Sequence, residues 1–234
     1  MTQKRQILIT GTTKGLGDKL ARHFLDEGDI VFGCARSPTD LTHDNYHHFC
    51  LDVTDAKGIK EVFFRIRQDF GRLDALINNV GIASMNAFAL TPLETARKIM
   101  EVNYFGTFSC SQRAIGLLRK SKAPRIINLS TVAVPLNLEG EAAYAASKSA
   151  VETLTRIMAK ELGGFGITCN AVGPSPIATD LIKGVGEEKI QKLIQAQAIK
   201  RMATPQDVIN VVEFFLRPES GMITGQTIYL GGIS

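Results

Sequence analysis

The chain has 234 residues, 44% of them hydrophobic and 21% charged. That balance excludes a disordered polymer and leaves enough apolar surface for a large core. Against about 150 residues per domain, the length points to one large α/β domain. The 27 Lys and Arg outnumber the 23 Asp and Glu by four, but the cations are scattered. With no basic run of the kind a nucleic-acid arm carries, no nucleic-acid partner is expected.

In chain order, short apolar runs alternate with longer amphipathic stretches. The runs Ile7–Thr10, Ile30–Cys34, Phe49–Val53, Ala75–Ile77, Arg125–Leu129, Ile167–Val172 and Thr227–Leu230 predict seven strands. Several are continuous rather than alternating, as in strands covered on both faces. Between them Gly15–Glu27, Ala56–Phe70, Pro92–Lys120, Glu141–Leu162, Glu187–Ile199 and Pro205–Phe215 predict helices. Thr91-Pro92 and Thr204-Pro205 read as helix starts, with Thr as cap and Pro in the first turn. Strand and helix alternating over the whole length predict a single-domain, doubly wound α/β fold around a mostly parallel sheet.

No apolar stretch reaches about 18 residues, so no membrane span is expected. The first residues run straight into a strand pattern without a secretory leader, and a cytoplasmic protein is expected. Cys34, Cys50, Cys110 and Cys169 are far apart in sequence and read as free buried thiols in a reducing compartment. His43, His47 and His48 read as residues of a solvated loop, with no partner at zinc-binding spacing, and no metal is expected.

The first predicted strand ends in Gly11-Thr12-Thr13-Lys14-Gly15-Leu16-Gly17, and a helix follows. One glycine permits the tight turn, one lets backbone approach a pyrophosphate, and one lets helix pack on strand. The anion would rest on the N–H groups at the helix N-terminus, so the turn predicts a dinucleotide site. No Gly-Lys-Ser/Thr closes the turn, which excludes a Walker A loop. An NAD site usually places an acid after the second strand, to hold the ribose 2′-hydroxyl. Here the strand ends Cys34-Ala35-Arg36-Ser37. Arg36 and Lys14, with no carboxylate, favour NADP(H) over NAD(H).

Tyr144 and Lys148 stand four residues apart in a predicted helix, on one face and one turn apart. A phenol with a pKa near 10 is a poor acid at neutral pH. A neighbouring ammonium is expected to lower that value and let the pair deliver a proton to a carbonyl oxygen.

Taken with Asp52-Val53, Asn78-Asn79-Val80-Gly81, Asn103, Ser130-Thr131 and Asn170 to Thr179, these motifs resemble the short-chain dehydrogenase/reductase family over the whole chain. Within it the chain is most similar to 3-oxoacyl-acyl-carrier-protein reductases. The run Gly221 to Thr227 is shared with related ketone and sugar reductases. The resemblance implies a Rossmann fold with a seven-stranded sheet. It also implies catalytic roles for Asn103, Thr131, Tyr144 and Lys148. Tyr144 would protonate the carbonyl oxygen, Lys148 would hold the nicotinamide ribose, and Asn103 would support a water. Cofactor contacts are implied for Gly11, Thr13, Lys14, Gly15, Leu16, Gly17, Arg36, Ser37, Asp52, Val53, Asn79, Val80, Gly81, Tyr144, Lys148, Pro174, Ile177 and Thr179. Hydride chemistry would belong to the cofactor.

Three residues depart from the family pattern: Thr131 in place of a serine, Val80 in place of an alanine, and Ser175 in place of a glycine. Val80 is expected to press on the cofactor ribose, and Ser175 to restrict the loop over the nicotinamide. Ile177–Met202, a polar segment with Gly184 and Gly186, is read as a lid.

The expected activity is NADP-dependent reduction of a ketone, foremost a 3-oxoacyl thioester. A sugar or other small secondary alcohol is the alternative substrate. A non-catalytic NADP-binding regulator is the alternative of another class, and a methyltransferase a weaker one. An acidic acyl-carrier protein would dock near Lys200 and Arg201. The family pattern implies a homotetramer or homodimer, with Pro92–Lys120 and Glu141–Leu162 pairing across one axis and the last strand across another.

Overall fold

The continuous apolar runs become the centre of the sheet. Strands β1 (Gln6–Thr10), β4 (Ala75–Asn78), β5 (Arg125–Leu129) and β6 (Thr168–Gly173) are buried at every position. They are flanked by β2 (Ile30–Ala35) and β3 (Tyr46–Cys50) on one side and β7 (Thr227–Tyr229) on the other. The structure, a computed structural model, describes residues 4–178 and 186–233. The order is β3-β2-β1-β4-β5-β6-β7, and all six pairings are parallel.

Successive β1 side chains serve opposite faces, as strand geometry dictates. Leu8 joins Phe32, Leu76 and Ile126 in a core covered by α2 (Ala56–Asp69), α4 (Gly106–Leu118) and α6 (Ala142–Leu162). Ile7 and Ile9 join Val31, Ile77, Ile127 and Val172 beneath α1 (Gly15–Asp26) and α8 (Pro205–Leu216). The chain leaves β1 to one side for β2 and β3, then returns to β4 on the other. The crevice at the carboxyl ends of β1 and β4 is therefore the topological switch point, where ligands of such sheets bind.

Five expectations need correction. The third strand is Tyr46–Cys50, not Phe49–Val53. It is an edge strand that is mostly half-exposed, so apolarity is not required of it, whereas Leu51 and Val53 are buried in the turn that follows. His47 and His48 are consequently strand residues, and His47 packs between Phe32 and Phe70.

The stretch Pro92–Lys120 is not one helix. It runs as α3 (Leu93–Met100), a π-helical turn over Glu101–Phe105, and α4. The π-turn holds one extra residue, and within it the Asn103 amide bonds to both backbone groups of Ile82. Thr91 does not cap α3: Pro92 holds the cap position, and the Thr91 hydroxyl donates to the Ala87 carbonyl 3.1 Å away. Cys34, Cys110 and Cys169 are buried free thiols, but Cys50 is exposed.

The described residues also include two short α-helices, α5 (Ala133–Leu136) and α7 (Glu187–Ala196). Thr179 and Gly184, within the expected lid, lie outside the described residues. No described helix is long and apolar enough to cross a membrane.

Thr204 does cap α8. Its hydroxyl oxygen accepts from the Asp207 N–H, and the Asp207 carboxylate accepts from the Thr204 N–H at 2.7 Å. Replacing Thr204 with Ala is expected to destabilise the fold by about 1 kcal/mol, seen as a lower urea midpoint with an unchanged slope.

Candidate active site

The glycine turn is held by close backbone approach. Gly11 has φ +80°, a region that disfavours any side chain. A Cβ on Gly17 would lie 2.0 Å from the Gly11 carbonyl oxygen, so α1 can pack against the turn only with glycine there. Asn79 fastens the turn from β4: its Nδ2 donates to the carbonyls of Thr10 (2.9 Å) and Gly11 (3.2 Å). The backbone N–H groups of Asn79 and Val80 both donate to Thr10 Oγ1 at 3.0 Å. Val80 lies against Gly11, its Cγ2 3.0 Å from where a Cβ would be, so the valine braces the turn.

Helix α1 starts from this turn without a side-chain hydrogen bond at its N-cap, Lys14. Its first N–H groups are thus presented at the switch point, as an anion site requires. Thr13 is half-buried, Lys14 and Gly15 are exposed, and Leu16 packs against the core under α1.

Arg36 and Ser37 follow β2 directly and are exposed, while Ala35 is buried and no acid stands beside it in sequence. Asp52 Oδ1 accepts from the Thr54 N–H (3.0 Å) and hydroxyl (2.8 Å). These bonds hold the carboxyl below its usual range, and the charges of Arg36 and Lys98 add to the effect. Val53 is buried beneath Gly106, where a Cβ would meet its Cγ2 at 2.8 Å. Helix N-terminus and glycine cradle together fit the pyrophosphate of a nicotinamide dinucleotide.

Beside the switch point, Tyr144 and Lys148 project from α6 one turn apart, 7% and 4% exposed. Lys148 Nζ donates to the Leu129 carbonyl at 2.7 Å. Gly81 makes room for it, since a Cβ there would lie 3.2 Å from that nitrogen. Asn103, fully buried, is locked on the other side. Its Oδ1 accepts from the Ile82 N–H (2.8 Å), and its Nδ2 donates to the Ile82 carbonyl and to Ser147 Oγ, both at 2.9 Å. Ser147 in turn donates to the Tyr144 carbonyl at 2.7 Å.

Burial pushes the Tyr144 phenol up to about 12; a hydrogen bond with Thr131 opposes this, and the Glu141 charge adds to it. This reverses the expectation that the ammonium lowers the value. The loss of water around a buried phenolate dominates, while Lys148 directs one N–H of its ammonium to the Leu129 carbonyl. Lys148 moves the other way, its ammonium brought down to about 8 by burial. The arrangement suits a group that keeps its proton until an acceptor arrives.

The loop after β6 is closed by backbone bonds, Val132 N–H to the Pro174 carbonyl (3.1 Å) and Ala203 N–H to the Pro176 carbonyl (3.0 Å). Ile177 is buried and bridges to Ala203. Among the described residues Asn137 is the only non-glycine with positive φ, so Ser175 is accommodated without strain. Thr179 lies outside the described residues.

The sequence reading missed two participants. Ser147, between Tyr144 and Lys148, is the link from Asn103 to α6. Glu152, one turn beyond Lys148 on the same face, is buried and accepts from Ser130 Oγ and from the Tyr229 hydroxyl (2.7 Å). Ser130 thereby spends its hydroxyl on Glu152, and Thr131 is the neighbouring hydroxyl that counters the rise of the phenol. Helical spacing from Tyr144 would have found both.

The profile of a family described as Enoyl-(Acyl carrier protein) reductase matches residues 11–233. The chain belongs to the short-chain dehydrogenase/reductase family. As such it is an oxidoreductase that uses a nicotinamide cofactor. It is 32% identical over 231 residues to 3-oxoacyl-acyl-carrier-protein reductase FabG of Vibrio cholerae, covering 96% of this chain and 95% of that one. Among solved structures it is similar to ligand-free aldohexose dehydrogenase of Thermoplasma acidophilum (30% identity, TM-score 0.88, 98% and 94% coverage). It also resembles a mutant short-chain dehydrogenase/reductase of Serratia marcescens (27%, TM-score 0.89, 99% and 98%).

In this short-chain dehydrogenase/reductase the buried ammonium opposes folding at neutral pH. The Lys148 value of about 8 lies below its ordinary 10.5. Between those values the unfolded chain holds a proton that the folded chain has shed, so stability rises with pH across that window. The penalty below pH 8 is about 3 kcal/mol, less what the bond to Leu129 returns. Lys148→Met is expected to melt above wild type at pH 7 and to lose that advantage by pH 10. Calorimetry at the two pH values checks this; a gap that does not shrink would contradict it.

Proposed function

We propose that the chain reduces the ketone of a 3-oxoacyl thioester to a secondary alcohol with NADPH. The observation that carries the reading is the buried Tyr144 phenol one helical turn from a buried lysine and beside the glycine turn, with the ammonium held on the Leu129 carbonyl at 2.7 Å. When bound, NADPH supplies the hydride for the carbonyl carbon. Thr131 and Tyr144 would hold the carbonyl oxygen between two hydroxyls, and Tyr144 would give it the proton that completes the alcohol. The high phenol value favours this direction, since the group arrives protonated at neutral pH. Lys148 would hold the ribose of the nicotinamide half, and the Asn103–Ser147 link would keep α6 in place beneath it. Arg36 supports the 2′-phosphate, because a cation and no carboxylate follows β2.

The likeness to the Vibrio cholerae reductase supports the thioester, and the likeness to an aldohexose dehydrogenase supports a sugar as second reading. An acidic carrier partner would meet Lys200 and Arg201 as exposed cations that already have partners within the chain. Lys200 donates to the last carbonyls of α7, and Arg201 is paired with Asp207 at 2.7 and 2.8 Å.

Purified protein with NADPH and acetoacetyl, crotonyl or aldohexose-derived substrates separates these readings. Oxidation of NADPH by the acetoacetyl thioester alone is expected. Tyr144→Phe should lower kcat/KM by roughly a thousand-fold while keeping cofactor affinity. A Tyr144→Phe protein with full turnover would remove the proton-donor role.

We also propose that the chain acts as a cytoplasmic homotetramer or homodimer through the α4–α6 face, where Phe105, Phe108 and Ile157 are exposed. Light scattering should find an oligomer, and Phe108→Glu should shift it toward monomer.

A further inference from the structure

Two polar side chains of β3, Tyr46 and His48, have no part in the hydride site. They stand two residues apart on one strand and point to the same face. The Tyr46 hydroxyl lies 2.8 Å from Thr12 Oγ1 and 3.0 Å from His48 Nδ1. On the far side of the ring, His48 Nε2 lies 3.0 Å from the Ser37 carbonyl oxygen.

For the neutral imidazole these contacts have one consistent direction. A carbonyl can only accept, so Nε2 carries the hydrogen and Nδ1 accepts. Tyr46 must then donate to Nδ1, and its oxygen accepts from the Thr12 hydroxyl. Every donor in the chain is used. Thr12 is fully buried and has no water to turn to, which makes the Tyr46 oxygen the partner it needs. Burial also pushes the Tyr46 phenol up, which keeps it a donor.

Strand β2 yields to this chain where the two cross. A Cβ on Gly33 would lie 2.1 Å from the Tyr46 hydroxyl oxygen and 2.5 Å from Thr12 Oγ1. A glycine at this place in a buried strand offers no packing of its own. Its presence is explained by the polar contact that passes over it.

The two ends of the chain are the informative part. Thr12 is a residue of the glycine turn that would hold the pyrophosphate. Ser37 adjoins Arg36, the cation that would face the adenosine ribose. We propose that Tyr46 and His48 are positioning residues that fix the distance between the glycine turn and the Arg36–Ser37 loop, and so make the site selective for a ribose 2′-phosphate. The proposal rests on the NADP reading and adds the residues that hold its selectivity. Breaking the His48 end frees the Ser37 carbonyl and lets the backbone carrying Arg36 rotate, leaving the turn intact. Breaking the Tyr46 end also strands the buried Thr12 hydroxyl and disturbs the turn.

The test is calorimetric titration of the full chain with 2′,5′-ADP and with 5′-ADP. His48→Leu is expected to weaken 2′,5′-ADP roughly ten-fold, the effect of one lost polar contact, and to leave 5′-ADP within about two-fold. His48→Gln, whose amide offers an acceptor and a donor, should recover most of the loss. Tyr46→Phe should weaken both ligands. Equal weakening of the two ligands by His48→Leu, or no change in either, overturns the proposal. So does failure of His48→Gln to recover affinity. Equal affinity of the wild-type chain for both ligands removes the NADP reading and the proposal together. A wild-type preference that His48→Leu leaves unmoved removes the proposal alone. Thermal melts establish that each variant is folded, and if Tyr46→Phe does not fold, the His48 pair carries the test.

Discussion

A lysine ammonium buried at the carboxyl end of a parallel sheet is the constraint around which this molecule is arranged. Isolated in apolar surroundings it would be driven to neutrality, and its value is indeed brought down to about 8. What keeps it in place is the Leu129 carbonyl, available because β5 ends just there. Gly81 supplies the space, and Asn103, through Ser147, holds the helix that carries the lysine. Each of these residues has an account that begins with the charge. Removing the charge would relieve the fold and leave the neighbouring phenol without its companion, a common balance between stability and activity.

The same burial acts on Tyr144 with the opposite sign. An anion and a cation are both disfavoured by loss of water, so the phenol rises and the ammonium falls. At neutral pH the phenol therefore holds its proton firmly, while the lysine sits close to the point of releasing one. Two groups one helical turn apart are set to different tasks by a shared environment.

Much of this was legible in the amino-acid order. Strands covered on both faces need apolar side chains at most positions, so β1, β4, β5 and β6 were visible as nearly unbroken runs. The glycine turn was visible because its backbone conformation and close approach admit no other residue at Gly11 and Gly17. The Tyr144–Lys148 spacing was visible because a helix has a fixed period. The third strand was misplaced because an edge strand has no obligation to be apolar: Tyr46 and His48 serve a polar chain there. The π-turn was hidden because the backbone its Asn103 engages, that of Ile82, is 21 residues away in sequence. The direction of the phenol shift depended on how deeply α6 is buried, which no local pattern encodes.

That π-turn carries a consequence for the tolerance of the chain to change in length. Glu101–Phe105 holds one residue more than a regular helix would accept. Deleting a single residue there would yield a straighter rod with better internal bonding, and by local criteria an improvement. It would also carry the Asn103 amide off the Ile82 backbone, while α4 kept nearly its present orientation. Locally the irregularity is a defect; globally it is what seats the Asn103 amide between the Ile82 backbone and Ser147, and an insertion or deletion at this site would be judged by its effect on those bonds.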